Sequence, residues 1–233
     1  MSNINITIVI LLGGLGTRLG ELTATTPKPL VQVDDKPFLD ILLTDLIGNG
    51  FKKFIFLVGY NSDQIMQRYG DGHKLGISIL YSVESIPLGT YGAIINSYHM
   101  LPPTFILLNG DTFADVKYND FIEFSESNKV YSIILSSKIS SDKSTKYNLL
   151  VKENLVLGYG ESSTGANRFD AGVYLIRKKH LVKKLGKENA KVDLSVLFLH
   201  LINNACLKTI TCCNNFYDIG TPARLKSFTR SYE

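Results

Sequence analysis

The stretch LLGGLGTRLG, Leu11 to Gly20, sets Gly13, Gly14, Gly16, Gly20 and Arg18 behind a run of branched apolar residues. A chain that only had to turn would need one or two glycines. A glycine-rich turn after a buried strand brings backbone N–H groups to the carboxyl edge of a sheet, where they bind anions, and glycine permits positive φ and close approach. Arg18 adds a permanent charge whose planar fork matches phosphate oxygens. The loop reads as a polyphosphate cradle; the alternative is a tight strand–helix turn with no ligand. Neither common cradle fits. Gly14-x-Gly16 starts a G-x-G-x-x-G pattern, but Gly20 falls one place late and Gly59-Tyr60 stands where an acid should follow the second strand. No lysine sits where a Walker loop needs one. Further on, TPKPL fences Lys28 between Pro27 and Pro29, which restrict the backbone on both sides. A lysine presented this way beside a phosphate cradle is a candidate for charge neutralisation in phosphoryl transfer; the alternative is an ordinary surface turn.

These groups need elements to hold them. Residues 4–12 read as a central strand, apolar on both faces. Helical spacing covers 38–47 and stops at Gly48-Asn49-Gly50. Strands are expected over 51–60, 77–83, 104–111 and 130–137, and helices over 62–70, 91–101 and 120–127. This alternation predicts an α/β protein with a mostly parallel sheet and helices on both faces. Beyond 137 the pattern changes. A polar loop covers 136–146, short strands cover 147–151, 155–160 and 169–176, and one or two helices lie between Lys178 and Asn203. A strand over LKTITCC and a helix starting near Pro222 complete the chain. The expected organisation is a single domain over 1–233, its first half about 1–137 and its second about 138–233.

The totals exclude several classes. The chain has 233 residues, 45% hydrophobic and 20% charged, which supports a core of normal size. Its net charge of +4 is weak, and the cluster RKKHLVKK (177–184) reads as a solvated helix face, so nucleic-acid binding is not expected. Cys206, Cys212 and Cys213 form neither a disulfide framework nor a zinc pattern, and point to a reducing compartment. The apolar start lacks a basic leader and is too short to span a bilayer, so a cytoplasmic location with no membrane association is expected.

GGLGTRL followed by TPKPLVQVDDKPFLD resembles the signature of the sugar-1-phosphate nucleotidyltransferases. The resemblance continues in SVESIPLGTYGAI (82–94), LLNGDTFADV (107–116), FDAGVYLI (169–176) and FYDIGTPARL (216–225), in the family's order over nearly the whole chain. E-x-x-P-L-G-T-x-G-A together with N-G-D-T looks most like the branch of D-glycero-D-manno-heptose 1-phosphate and mannose-1-phosphate guanylyltransferases. The resemblance implies a three-layer α/β/α Rossmann-like fold with a mixed, mostly parallel central sheet, the first half binding nucleotide and the second sugar phosphate. It implies transfer of a nucleotidyl group from a nucleoside triphosphate to a sugar 1-phosphate with release of pyrophosphate, Mg²⁺ as cofactor, a monomer or homodimer, and a place in nucleotide-sugar biosynthesis for capsule or lipopolysaccharide.

Residue by residue, the resemblance implies that the backbone of Leu12, Gly13, Gly14 and Gly16, with Thr17, holds the triphosphate. Arg18 stabilises the leaving pyrophosphate, and Lys28 bridges the α-phosphate and the attacking phosphate. Asp111 and Asp218 match the two aspartates that hold Mg²⁺; each alone reads equally as a turn or cap residue. Glu84 lies at the base-reading position, near Gly89, whose backbone packs on the base, and Thr90. A carboxylate only accepts hydrogen bonds, and guanine offers two donors side by side, N1–H and the exocyclic amine, so Glu84 favours GTP. An exposed strand-end glutamate is the alternative. Asn109 and Gly110 face the sugar or ribose. Glu161, Asp170 and Gly172 match sugar-binding positions.

The family's Glu-Lys pair becomes Glu161-Ser162 here, and Arg168 is the expected substitute for the lysine that grips the acceptor phosphate. Tyr147-Asn148 and VDLSVLF (192–198) also depart from the pattern. All the departures fall in the sugar-binding half. They leave the reaction class firmer than the acceptor, which on this ground is expected to be unusual and not a hexose phosphate; the branch resemblance makes GTP with a heptose 1-phosphate the favoured pair. The same reaction with CTP, UTP or dTTP and another acceptor, and a catalytically weak nucleotide-sugar-binding protein, are the alternatives.

Overall fold

The computed structural model describes residues 5–138, 148–160, 163–183, 191–211 and 213–232. In chain order these form β1 (Thr7–Leu11), β2 (Gln32–Val33), β3 (Lys36–Pro37), α1 (Phe38–Gly48), β4 (Lys53–Val58), α2 (Ser62–Tyr69), β5 (Ser78–Val83), α3 (Gly89–Asn96), β6 (Thr104–Asn109), β7 (Thr112–Val116), α4 (Tyr118–Ser127), β8 (Ser132–Ser137), β9 (Leu149–Lys152), β10 (Leu155–Tyr159), β11 (Phe169–Arg177), α5 (Leu194–Asn203), β12 (Leu207–Thr211), β13 (Cys213–Asp218) and α6 (Pro222–Tyr232). The fold class is the expected one: α/β, with a mixed, largely parallel sheet and flanking helices. The chain divides into two compact units. The first takes residues 1–87, 108–113 and 218–233; the second takes 88–107 and 114–217.

In the first unit the strands run β5-β4-β1, all parallel, with Val9 opposite Ile55 and Ile55 opposite Leu80. The continuous apolar runs of β1 and β4 bury Ile8 to Ile10 and Phe54 to Val58, as strands covered on both faces require. Helix α1 buries Phe38, Leu39, Ile41, Leu42, Leu43 and Leu46. Helix α6 buries only Phe228, which meets Phe38 edge-on at 5.4 Å and Phe113 at 5.5 Å. Tyr232 of the same helix packs beside it on Phe113 at 6.4 Å.

In the second unit the order is β6-β11-β8-β12-β10-β9. Strand β8 pairs parallel with β12 and antiparallel with β11, and β10 is antiparallel to both β12 and β9. The break in alternation after residue 137 is thus a change of strand direction. Helix α5 buries Leu194, Leu197, Phe198 and Leu201, with Phe198 against Tyr159 at 4.9 Å and Tyr174 at 5.0 Å. The helix expected over 91–101 ends at Asn96 and continues only as a tight turn over Tyr98–Met100. The pairing of β7 with β13 was not expected from the sequence at all. Most of the expected loop over 136–146, part of the helical region between Lys178 and Asn203, and Cys212 lie outside the described residues. Among the described residues, no helix is long and apolar enough to cross a membrane.

Candidate active site

The glycine loop starts where β1 stops. The amide of Leu12 still donates to Leu57 of β4 at 2.7 Å, and the chain leaves the sheet at Gly13. Gly16 has φ +66°, and a Cβ there would lie 2.9 Å from Thr23 Cγ2 and 3.1 Å from Lys28 Cβ. Both the conformation and the space demand glycine. Thr23 closes the turn by donating its hydroxyl to the Gly16 carbonyl at 2.9 Å. Gly14 is different: a Cβ there would meet no heavy atom within 4 Å. No packing contact explains that glycine. Thr17 and Arg18 begin a 3-10 turn over Thr17–Thr23 and are exposed.

Lys28 opens a second 3-10 turn, Lys28–Leu30, with Pro27 as its extended N-cap. It is not on a surface turn. The residue is only 8% exposed, and its Nζ donates to Asp111 Oδ2 at 2.5 Å. Gly16 thus brings the loop onto the stem of a lysine whose ammonium is already committed to a carboxylate.

Asp111 follows the Asn109-Gly110 turn at the end of β6. A Cβ at Gly110 would fall 2.4 Å from the Leu11 carbonyl, so Gly110 serves close packing against the end of β1. Thr112 donates its hydroxyl to Asp111 Oδ1 at 3.2 Å. Asp218 ends β13. Its Oδ1 accepts the Gly220 amide at 2.9 Å, and Arg224 Nη1 donates to both its oxygens, at 3.1 and 2.8 Å. The two aspartates meet through the backbone, because the Ile219 amide donates to the Asp111 carbonyl at 2.9 Å. A Cβ at Gly220 would sit 2.8 Å from Asp218 Oδ1 and 3.2 Å from Arg18 Nη2. Arg18, Lys28, Asp111 and Asp218 are thereby gathered in the first unit. Two carboxylates are hard oxygen donors of the kind Mg²⁺ takes, and they fit that ion. Among the described residues no group of three or more His, Cys, Asp or Glu side chains is placed to hold a metal, so phosphate and water oxygens would have to complete its shell.

Glu84 follows β5, its amide held by the Val58 carbonyl at 2.9 Å. It lines a cleft of about 200 Å³ with Gly13, Leu15, Gly59, Tyr60, Ile86 and neighbours. The carboxylate rests on two glycines: a Cβ at Gly59 would lie 2.6 Å from Glu84 Oε1, and one at Gly13 would lie 2.8 Å from it. Glu84 is half-buried and lines this cleft, which is not the setting of a merely exposed strand-end glutamate. Tyr60 is held by its hydroxyl, which donates to the Ala24 carbonyl at 3.0 Å.

A scan against family models matches residues 7–225 to the nucleotidyl transferase family. This chain belongs to that family. It is 36% identical to the D-glycero-alpha-D-manno-heptose 1-phosphate guanylyltransferase of Campylobacter jejuni over 73% of this chain and 75% of that protein. It is 30% identical to the mannose-1-phosphate guanylyltransferase catalytic subunit beta of Drosophila pseudoobscura over 92% of this chain, which spans 59% of that protein. Among solved structures, HddC from Yersinia pseudotuberculosis complexed with GMP-PN superposes with a TM-score of 0.80 at 27% identity, covering 98% of this chain and 100% of that one.

The nucleotidyl transferase positions expected in the second unit are tied into local structure. Gly89 has φ +77°, and a Cβ there would strike the Val192 backbone at 2.7 Å. Thr90 Oγ1 accepts the Leu194 amide at 2.7 Å, at the start of α5. Asp170 Oδ2 accepts the hydroxyls of Tyr159 at 3.1 Å and Tyr174 at 2.9 Å, and its Oδ1 accepts the Gly172 amide at 2.9 Å. Burial pushes the Asp170 carboxyl up to about 6, against the pull of those three donors. Gly172, at φ +71°, lies where the register of β11 against β8 shifts. Arg168 Nη1 donates to the Asn167 carbonyl at 2.7 Å. Glu161 lies outside the described residues.

Sequence reasoning passed over Gly59, Gly220 and Arg224. Gly59 was noted only as the wrong residue for a dinucleotide fold. Arg224 falls in the first turn of α6, and its reach to Asp218 follows from the Ile219–Thr221 turn that doubles the chain back.

Proposed function

We propose that the protein is a guanylyltransferase that couples GTP to D-glycero-D-manno-heptose 1-phosphate, giving the GDP-sugar and pyrophosphate. The observation that carries this reading is the Glu84 carboxylate, seated on Gly13 and Gly59 inside the cleft beside the phosphate loop. A pure acceptor there suits the adjacent N1–H and exocyclic amine of guanine. The names of the heptose and mannose relatives point the same way.

In the reaction a phosphate oxygen of the sugar 1-phosphate attacks the α-phosphorus in line. The bond from that phosphorus to the α–β bridging oxygen breaks, and pyrophosphate leaves with the electron pair. Positioning and charge neutralisation are the protein's work. The loop amides from Leu12 to Thr17 hold the triphosphate, Arg18 meets the charge that grows on pyrophosphate, and Lys28 turns from Asp111 to the reacting phosphates. Asp111 and Asp218 hold Mg²⁺, which supplies neutralisation of phosphate charge when bound. In the second unit, Arg168 is assigned to the acceptor phosphate and Glu161 to sugar hydroxyls.

Pyrophosphate release is measured with Mg²⁺ across GTP, ITP, CTP, UTP and dTTP, each against a set of sugar 1-phosphates that includes the heptose. Release is expected to be greatest with GTP and the heptose, and ITP, which lacks the exocyclic amine, falls about tenfold or more below GTP in kcat/KM. Equal use of GTP and ITP would discard the role of Glu84. Release only with another acceptor would discard the heptose.

A further inference from the structure

We propose that Arg224 is a resident counter-cation for Asp218, which a divalent metal ion displaces only when it arrives with a nucleotide. The proposal rests on the reading of Asp111 and Asp218 as the metal-holding pair. Arg224 Nη1 donates to both oxygens of Asp218, and the two side chains are only 27% and 24% exposed. The Gly220 amide takes Oδ1 as well, so the carboxylate is fixed in orientation. Asp111 carries its own cation, Lys28, at 2.5 Å. The four groups sum to no net charge, and Arg18 stands across the Gly220 position from Asp218. A bare divalent ion therefore meets a neutral-to-positive cluster and must break an ion pair to bind. A triphosphate changes that balance. Its oxygens give Arg224, Lys28 and Arg18 other anions to face, and bring the metal with ligands already in place. Arg224 is thus a positioning residue. It keeps Asp218 in register between turnovers and makes metal binding conditional on nucleotide.

Mn²⁺ binding is followed by the loss of its free-ion EPR signal on the intact protein, alone and with β,γ-imido-GTP. Wild type alone binds Mn²⁺ weakly and binds it tightly with the nucleotide analogue. Arg224→Gln gains about tenfold in affinity for Mn²⁺ without nucleotide, and the gain vanishes in the Arg224→Gln/Asp218→Asn double variant. Arg224→Lys, which keeps the charge, stays close to wild type. Circular dichroism melts establish that each variant is folded. Wild type binding Mn²⁺ equally well with and without nucleotide overturns the proposal, and does so even where Arg224→Gln fails to fold. An unchanged Arg224→Gln, with Asp218→Asn still weakening Mn²⁺ binding in the nucleotide complex, overturns the role of Arg224 alone. Asp218→Asn binding Mn²⁺ with nucleotide as tightly as wild type overturns the metal reading itself, and this proposal with it.

Discussion

The amide of Ile219 donates to the carbonyl of Asp111 at 2.9 Å. This one backbone bond brings together two carboxylates from opposite parts of the chain, each already paired with a cation: Asp111 with Lys28, Asp218 with Arg224. On the proposed function, the groups assigned to neutralise phosphate charge are held in place by these pairs before substrate arrives.

Lys28→Ala removes the ammonium from this cluster while leaving the turn that Pro27 begins. Turnover is expected to fall by about a hundredfold to a thousandfold with nucleotide affinity much less affected. Lys28→Arg does not restore it, since the residue is 8% exposed and its Cβ already meets the Gly16 position. Single-turnover kinetics beside a nucleotide-binding titration check both statements.

Gly59→Ala places a methyl 2.6 Å from Glu84 Oε1 and forces the carboxylate out of its seat. The KM for GTP is expected to rise about tenfold to a hundredfold, and the preference for GTP over ITP to collapse toward unity. Parallel kinetics with the two nucleotides measure this. A raised KM with an intact preference would show that the methyl blocks the cleft without disturbing base reading.

Asp170 gives a pH signature. Its carboxyl is raised by burial to about 6, above the ordinary 3.8 that the unfolded chain retains. The unfolded state therefore loses this proton first, and stability falls as pH rises from about 4 through about 6, by on the order of 2–3 kcal/mol. Below the unfolded value the carboxyl is neutral in both states and exerts no such cost. Asp170→Asn is expected to remove that slope, so the Tm of wild type falls relative to that of the variant as pH rises across the window. Thermal melts at half-unit steps from pH 4 to pH 7 test it.

Phe228→Ala strips α6 of its only buried side chain. The loss of contacts with Phe38, Phe113 and Tyr232 is expected to cost about 3–5 kcal/mol in urea denaturation. A variant that unfolds at the wild-type midpoint would show that α6 is held chiefly by the ion pair of Arg224.

Much of this was legible in the residues because it is local. The branched run before Gly13, the proline fence around Lys28 and the polar end of β6 at Asp111 are patterns within a few residues, and the strand–helix alternation repeats them along the chain. What escaped reading depends on contacts across the chain. That Lys28 is buried follows from Asp111, 83 residues away. That Gly59 matters follows from Glu84 lying over it. Asp170 reads as a sugar ligand from its place in a motif, but that Tyr159 and Tyr174 donate to its carboxylate is not written in that motif. Strand β13 has no alternation to announce it; its pairing with β7 defines it.

The first unit is assembled from residues 1–87, 108–113 and 218–233. The ribosome therefore delivers Lys28 first, Asp111 next and Asp218 with Arg224 after them, with the second unit emerging in between. Closing such distant segments is slow for entropic reasons, although β1, β4 and β5 pair among themselves. A nascent chain halted between residues 111 and 218 would hold the glycine loop, Lys28 and Asp111 but lack Asp218. The cluster of Arg18, Lys28, Asp111 and Asp218 thus comes together only after synthesis has passed the Ile219–Thr221 turn.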